Sequence, residues 1–325
     1  MNDIIQLAKP VEREMNQCKD LFDSFMQHSR NLLLNDVLQR ITSRKGKMMR
    51  PLLTLLVAKL LGEINDNTLS SALSFEFLHT ASLVHDDIVD ESCERRGNPS
   101  VNQSFGDKVA VLVGDYLLSH VLINAAKTRN SRLVEIVAKV SECLADGELL
   151  QLRNIYNRNI SEEVYFHIIQ GKTAELFAAA AEGGALSVNA NEKDLQTMRS
   201  FGETVGICFQ IKDDIFDYIA GDEIGKPTGN DMAEGKLTLP VIHALFSTNQ
   251  EDMFALANKV KDGSISADEI ATLVRFTLDN HGIDYAEKVM VEYADKAKSL
   301  LACYPDSDVK TSLMKYVDYV IYRNY

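Results

Sequence analysis

Six carboxylates stand in apolar sequence as two copies of nearly one word, Asp86-Asp87-Ile88-Val89-Asp90 and Asp213-Asp214-Ile215-Phe216-Asp217. Ala81-Ser82-Leu83-Val84 precedes the first, and Cys208-Phe209-Gln210-Ile211 precedes the second. On a helix, the first, second and fifth positions of each copy project to one side. Six carboxylates held this way repel one another severely without counter-charge. Divalent cations supply that charge, and Mg²⁺ in particular takes a few carboxylates together with phosphate oxygens and water. A single such cluster is more often a solvated face. Two copies, each trailed by basic residues (Arg95-Arg96-Gly97 and Gly225-Lys226-Pro227), point to a metal-bridged diphosphate site.

Around these motifs the 325-residue chain is dominated by Leu/Ala/Val/Ile stretches at helical spacing. No linker, low-complexity run or repeat divides it, and Asn-Gly or Asp-Gly hairpin signals are nearly absent. The expectation is all-α, a single helical domain over 1–325. Helices are predicted over Ile4–Gln27, Leu32–Ser43, Pro51–Leu61, Leu69–Glu91 (capped by Asn67-Thr68), Lys108–Thr128, Ser131–Asn154, Ser161–Ala181 (ended by Gly183-Gly184) and Asp194–Ile219. Loops are predicted over Ser92–Phe105 and Gly221–Gly235, with shorter helices on to Tyr325.

A net charge of −13 argues against nucleic acid as partner. Five cysteines without CxxC spacing read as free thiols in a reducing compartment. With no signal-like start and no apolar stretch near the roughly 20 residues of a membrane span, the expectation is a cytoplasmic protein without an integral membrane segment.

Basic residues gather at four places. Lys47 and Arg50 lie one turn apart at a helix start, where free backbone N–H groups favour anions. Arg95 and Arg96 can fold back over a metal-bound diphosphate, since a guanidinium binds phosphate oxygens bidentately. Gly171 sits mid-helix, where glycine is disfavoured by about 1 kcal/mol against alanine, which suggests close packing or a kink that turns Lys172 inward. Lys226 and Lys236 flank a loop placed to close over phosphates. Each cluster taken alone also reads as solvated surface charge, and His79 and His85 read equally as core histidines.

In order along the chain, these segments resemble the trans-isoprenyl diphosphate synthase (polyprenyl synthetase) family. The matching residues are Gly46-Lys47-x-x-Arg50-Pro51, Glu76-x-x-His79-x-Ala81-Ser82-Leu83-x-His85-Asp86-Asp87-x-x-Asp90, Arg95-Arg96-Gly97-x-Pro99, Gly114-Asp115-Tyr116-Leu117-Leu118 and Gly171-Lys172-Thr173. They continue with Gln210-x-x-Asp213-Asp214-x-x-Asp217, Gly225-Lys226-Pro227-x-Gly229-x-Asp231 and Glu234-Gly235-Lys236-x-Thr238-Leu239-Pro240. Where the family often has an arginine after the first lysine, this chain has Met48.

The resemblance implies the isoprenoid synthase class I fold, a helical bundle around a deep cavity, and a homodimer with transient membrane contact for product release. It implies three Mg²⁺ ions held by Asp86, Asp87, Asp90, Asp213 and Asp214, with Asp217 nearby. Arg95, Lys172, Thr173, Gln210, Lys226 and Lys236 would contact the diphosphate of an allylic substrate, farnesyl or geranyl diphosphate. Lys47, Arg50, His79 and Arg96 would grip isopentenyl diphosphate. The implied reaction is Mg²⁺-assisted loss of the allylic diphosphate, followed by attack of the isopentenyl double bond and proton loss to the departing diphosphate.

In the family a bulky aromatic one turn deeper than the first motif stops elongation early. Ala81 and Ser82 are small, which implies a product longer than twenty carbons, walled by Phe75, Leu78, Leu118 or Leu122. The alternatives are a fifteen- or twenty-carbon synthase, a class I terpene cyclase and a non-catalytic partner subunit. The twin aspartate motifs together with the basic grips disfavour the last two.

Overall fold

A computed structural model describes residues 2–27, 31–43, 46–95, 97–155, 160–219 and 228–323. Arg96 and Lys226, both assigned to diphosphate contacts, lie outside the described residues, as do residues 220–227 of the second loop.

The protein is all-α. Its helices are α1 (Asn2–Ala8), α2 (Glu12–Phe25), α3 (Leu32–Thr42), α4 (Met49–Leu61), α5 (Asp66–Val89), α6 (Val101–Phe105), α7 (Asp107–Lys127), α8 (Ser131–Ile155), α9 (Glu162–Ile169), α10 (Glu175–Ser187) and α11 (Glu192–Phe216). They continue as α12 (Asn230–Ala233), α13 (Leu239–Thr248), α14 (Glu251–Lys261), α15 (Ala267–Asp279), α16 (Gly282–Leu300) and α17 (Asp308–Tyr322).

Four sequence expectations need correction. The first helix is two, separated by a 3₁₀ turn at Lys9–Val11, because Pro10 has no N–H to donate. The helix carrying the first motif starts earlier than Asn67-Thr68. Asn65 is its N-cap, accepting from the N–H groups of Asn67 and Thr68 while the Thr68 side chain answers the Asn65 N–H. The predicted loop after it holds a two-strand hairpin, β1 (Glu94–Arg95) against β2 (Asn98–Pro99), and then α6. Finally, Gly183-Gly184 does not end a helix. A Cβ on Gly184 would lie 2.4 Å from the Thr54 carbonyl oxygen, and the Thr54 hydroxyl donates 2.9 Å to Ala180. Glycine there lets two helices touch.

By its internal contacts the chain forms two compact units, residues 1–142, 176–202 and 300–316 in the first and residues 143–175, 203–299 and 317–325 in the second. In the first, α5 packs along α7 and α4. Its core is Leu52, Leu53, Phe75, Phe77, Phe177 and Phe201, all without solvent exposure, with Phe22 stacked on Phe77 at 4.9 Å. In the second, α13 packs on α9 and α15, and α15 also meets α12 and α14.

Contrary to the sequence expectation, one helix among the described residues, α7, is by length and composition long and apolar enough to cross a membrane, its most apolar 18-residue stretch having a mean hydropathy of 1.6. One face, with Ala110, Val113, Leu117, Val121 and Ala125, is buried in the first unit, which is what a packed helix of a folded domain requires. All five cysteines are free.

Candidate active site

The first acidic motif occupies the C-terminal turn of α5. Asp87 is 3% exposed, while Asp86 and Asp90 are half-buried. Burial pushes the Asp87 carboxyl above its usual range, and Arg95 opposes this through a hydrogen bond from Nε (2.7 Å) and an ion pair from Nη2 (2.5 Å). The hairpin holds Arg95 in place, because Asn102 Nδ2 donates to the Asp87 carbonyl at 3.0 Å and Ser100 to that of Ser92 at 2.7 Å. Arg95 therefore lies at the motif, and in this structure its partner is a carboxylate.

A cleft of about 740 Å³, counting the part open to solvent, lies beside this motif within the first unit. Asp87, Arg95, His79, Arg40 and Glu76 are among its polar groups, and Met48, Leu83 and Val84 form part of its apolar lining. Met48, which stands where the family often has arginine, is buried at a left-handed backbone position (φ 49°) that begins α4. Lys47 is exposed next to it. Arg50 is buried, its guanidinium 4.5 Å from the centre of the Phe177 ring.

Deeper along α5, Ala81, Phe75 and Leu78 are buried and Ser82 is half-buried. The Phe75 ring lies where a Cβ on Gly183 would fall, 2.5 Å away. Leu118 is half-buried. Leu122 is 58% exposed, which removes it from the interior wall.

In the second unit a cavity of about 660 Å³, counting the part open to solvent, gathers Lys172, Thr173, Gln210, Asp214, Asp231 and Lys236. A hydrogen-bonded chain runs along it. Thr173 donates to Gln210 Oε1 (2.7 Å), Gln210 Nε2 to Asp214 Oδ1 (2.8 Å), and Tyr165 Oη to Asp214 Oδ2 (2.6 Å). Asp214 is 4% exposed, and burial pushes its carboxyl up to about 7, with repulsion from Asp213 and Asp217 adding to the effect and the two hydrogen bonds opposing it. Asp231 is raised well above the carboxylate range, first by burial and then by Asp214 and Asp217.

The remaining motif carboxylates have distinct partners. Asp217 accepts from the N–H groups of Asn230 (2.9 Å) and Asp231 (3.1 Å) at the start of α12. Asp213 is paired with Arg323 Nη2 at 2.5 Å. That guanidinium lies 3.9 Å from the centre of the Phe209 ring and also donates to the Phe209 carbonyl.

The mid-helix glycine has a clear structural reason. Residues Gln170–Ala174 form a π-turn between α9 and α10, and a Cβ on Gly147 of α8 would come within 2.8 Å of the Lys172 nitrogen. Two glycines thus bring α8 against the turn, and Lys172 reaches Glu148 at 2.6 Å. Lys236 pairs with Glu234 at 2.6 Å.

The donor set fits a hard divalent cation. It is all carboxylate, and burial drives two of its members toward the neutral form. Among the described residues no three His, Cys, Asp or Glu side chains form a ready-made cage. Mg²⁺ binds in just this way, through one or two carboxylates completed by water and substrate phosphate.

Tyr165, Arg323 and Lys261 take part in these arrangements without having been singled out in the sequence. Tyr165 lies in an ordinary apolar helix and Arg323 beyond any motif, so only tertiary contact reveals them.

The chain is similar to known proteins over nearly its whole length. The model of a family described as Polyprenyl synthetase matches residues 31–276. An octaprenyl diphosphate synthase of Haemophilus influenzae is 32% identical, over 100% of this chain and 98% of its own. Among solved structures, a geranylgeranyl pyrophosphate synthase from Bacteroides thetaiotaomicron is 47% identical (TM-score 0.88), covering 99% of this chain and 100% of its own. A decaprenyl diphosphate synthase from Rhodobacter capsulatus is 34% identical (TM-score 0.91), covering 98% of this chain and 99% of its own.

Proposed function

The chain belongs to the polyprenyl synthetase family and is a prenyltransferase, and we propose that it condenses isopentenyl diphosphate head-to-tail onto an allylic diphosphate, farnesyl or geranyl, to a product longer than twenty carbons. The observation that carries this reading is the second-unit cavity, where Lys172, Lys236, Thr173 and Gln210 surround a buried motif aspartate.

In this reading Lys172, Thr173, Gln210 and Lys236, with Arg95 and Lys226, bind the allylic diphosphate. Lys47, Arg50, His79 and Arg96 bind that of isopentenyl diphosphate. Asp86, Asp87, Asp90, Asp213, Asp214 and Asp217 would be the ligands of three Mg²⁺ ions. When bound, Mg²⁺ supplies Lewis-acid charge to the diphosphate. The lysines stabilise the same charge as the allylic C–O bond breaks and its electron pair leaves with the diphosphate. The isopentenyl double bond then attacks the allylic carbon, and the proton lost in forming the new double bond passes to the departing diphosphate. No protein base is required. Apolar walls keep water from the cation.

For product length, Ala81 and Ser82 leave room beneath the first motif, and burial of each added CH₂ favours elongation by about 0.8 kcal/mol until a wall intervenes. Phe75 and Leu78, buried further along α5, supply that wall. The octaprenyl name of one relative supports the long product, while the geranylgeranyl name of the 47%-identical structure supports a second reading that stops at twenty carbons. Incubation with Mg²⁺, labelled isopentenyl diphosphate and farnesyl diphosphate, with sizing of the dephosphorylated products, separates the two. Products of thirty carbons or more support the long-chain reading, a stop at twenty supports the other, and no incorporation with any primer overturns the condensation.

The protein acts as a cytoplasmic homodimer, with transient membrane contact for product release. The outward face of α7, carrying Val111, Leu112, Leu122 and Ile123, 42–68% exposed, is the surface that a second copy would cover.

A further inference from the structure

Lys261, the last residue of α14, belongs to none of the motifs, yet it lines the second-unit cavity together with Lys172 and Lys236. It is 3% exposed, and its Nζ donates 2.9 Å to the backbone carbonyl of Asn154. Its two neighbours in the cavity each have a carboxylate partner, Glu148 for Lys172 and Glu234 for Lys236. No carboxylate of the described residues pairs with Lys261. An ammonium taken out of water without an opposite charge costs several kcal/mol, and this one brings a third like charge into one cavity. Asp214 and Asp231 share the lining, and Asp214 is already held by hydrogen bonds from Tyr165 and Gln210. Burial in turn pushes the Lys261 ammonium down to about 8.

Two roles compete. The Asn154 carbonyl lies in the last turn of α8, where a cation is favoured by the helix dipole. Capping alone is met by a lysine at the surface and does not explain a buried lysine that lines a cavity with two others. An ammonium has three donors, and the Asn154 carbonyl uses one. The cavity side of Lys261 is thus suited to an anion of several charges.

We propose that Lys261 is a further substrate-binding residue, taking the diphosphate of the allylic substrate alongside Lys172 and Lys236. This rests on the reading of the cavity as the allylic diphosphate site. A charge-assisted hydrogen bond to phosphate corresponds to about tenfold in affinity.

The test uses the full-length protein with K261Q, K261M and K261R. Calorimetric titration with inorganic diphosphate and Mg²⁺ is combined with KM for farnesyl and isopentenyl diphosphates and with the thermal midpoint. K261Q can still donate to the Asn154 carbonyl but carries no charge. About tenfold weaker diphosphate binding and a similarly raised farnesyl KM are expected for K261Q and K261M, with the isopentenyl KM unchanged and K261R within about threefold of wild type. Diphosphate affinity equal to wild type in K261Q, with K261M only less heat-stable, overturns the proposal and leaves Lys261 as a cap of α8. If the wild-type protein makes no product with any primer, the prenyl-transfer reading fails. The diphosphate titration still decides whether Lys261 binds the anion.

Discussion

Tyr165 donates its phenolic hydrogen to Asp214 over 2.6 Å, with both side chains buried. The bond holds a carboxylate that burial drives up to about 7, against about 3.8 for the free group. The folded protein therefore binds more protons than the unfolded chain between those values, so its stability falls as pH rises from about 4 to 7 and the penalty is complete above 7. With no metal added, D214N should be more stable than wild type by about 1–3 kcal/mol at pH 8 and no more stable at pH 4. The gain is limited because an asparagine cannot accept from both Tyr165 and Gln210. Urea unfolding at the two pH values checks this, and a pH-independent difference would contradict it. Y165F removes a bond that favours the ionised form, so the acid limb of its activity profile should move to higher pH.

Arg323 holds Asp213 as a competing cation. Its side chain is 10% exposed, against 40% for Asp213, so the pair is partly screened and contributes about 1 kcal/mol or less beyond the stacking on Phe209. R323M should lose about 1–2 kcal/mol in urea unfolding and reach half-maximal activity at a lower Mg²⁺ concentration. A higher Mg²⁺ requirement would mean that Arg323 orients Asp213 for the metal and does not compete with it.

Product length tests the small residues beneath the first motif. A81F should end elongation at twenty carbons or fewer while still extending a ten-carbon primer. Overpacking by the new ring costs about 1–3 kcal/mol, which a thermal melt will register. Unchanged product length in a folded A81F would place the growing chain elsewhere than along α5.

Much of this was legible in the sequence. The acidic helices, the cations near them and the all-α class follow from spacing and apolar context, because helix periodicity and charge burial are local properties. Glycine was legible as close packing at Gly171, where a π-turn presses against Gly147, but not at Gly183-Gly184, which reads as a helix end and instead lets α10 touch Thr54 without ending. The hairpin after α5 is two residues per strand, too short for any alternation to show. Tyr165 and Arg323 meet their aspartates from 49 and 110 residues away, and such partners acquire a role only through tertiary packing.

The exposed apolar face of α7 predicts an assembly defect. L112E together with L122E places charge where a second copy would pack, at positions 68% and 58% exposed in the single chain. Sedimentation at micromolar concentration should show wild type as a dimer and the double variant as a monomer with unchanged helical circular dichroism. A wild-type monomer would remove the homodimer from the reading.

The π-turn at Gln170–Ala174 has a consequence of another kind. Such a turn holds one residue more than an α-turn, and a helix advances about 100° per residue. It can therefore be viewed as a single-residue insertion that the helix absorbed without breaking. Removing one residue there would leave a straight, continuous helix from α9 into α10 with the flanking side chains in nearly their present directions, whereas tightening the turn to α geometry without a deletion would rotate everything beyond it by about 100°. Tyr165 in α9 and Thr173 within the turn are eight residues apart, about 80° off a common face in an unbroken α-helix, and it is the wide turn that lets both serve one hydrogen-bonded chain.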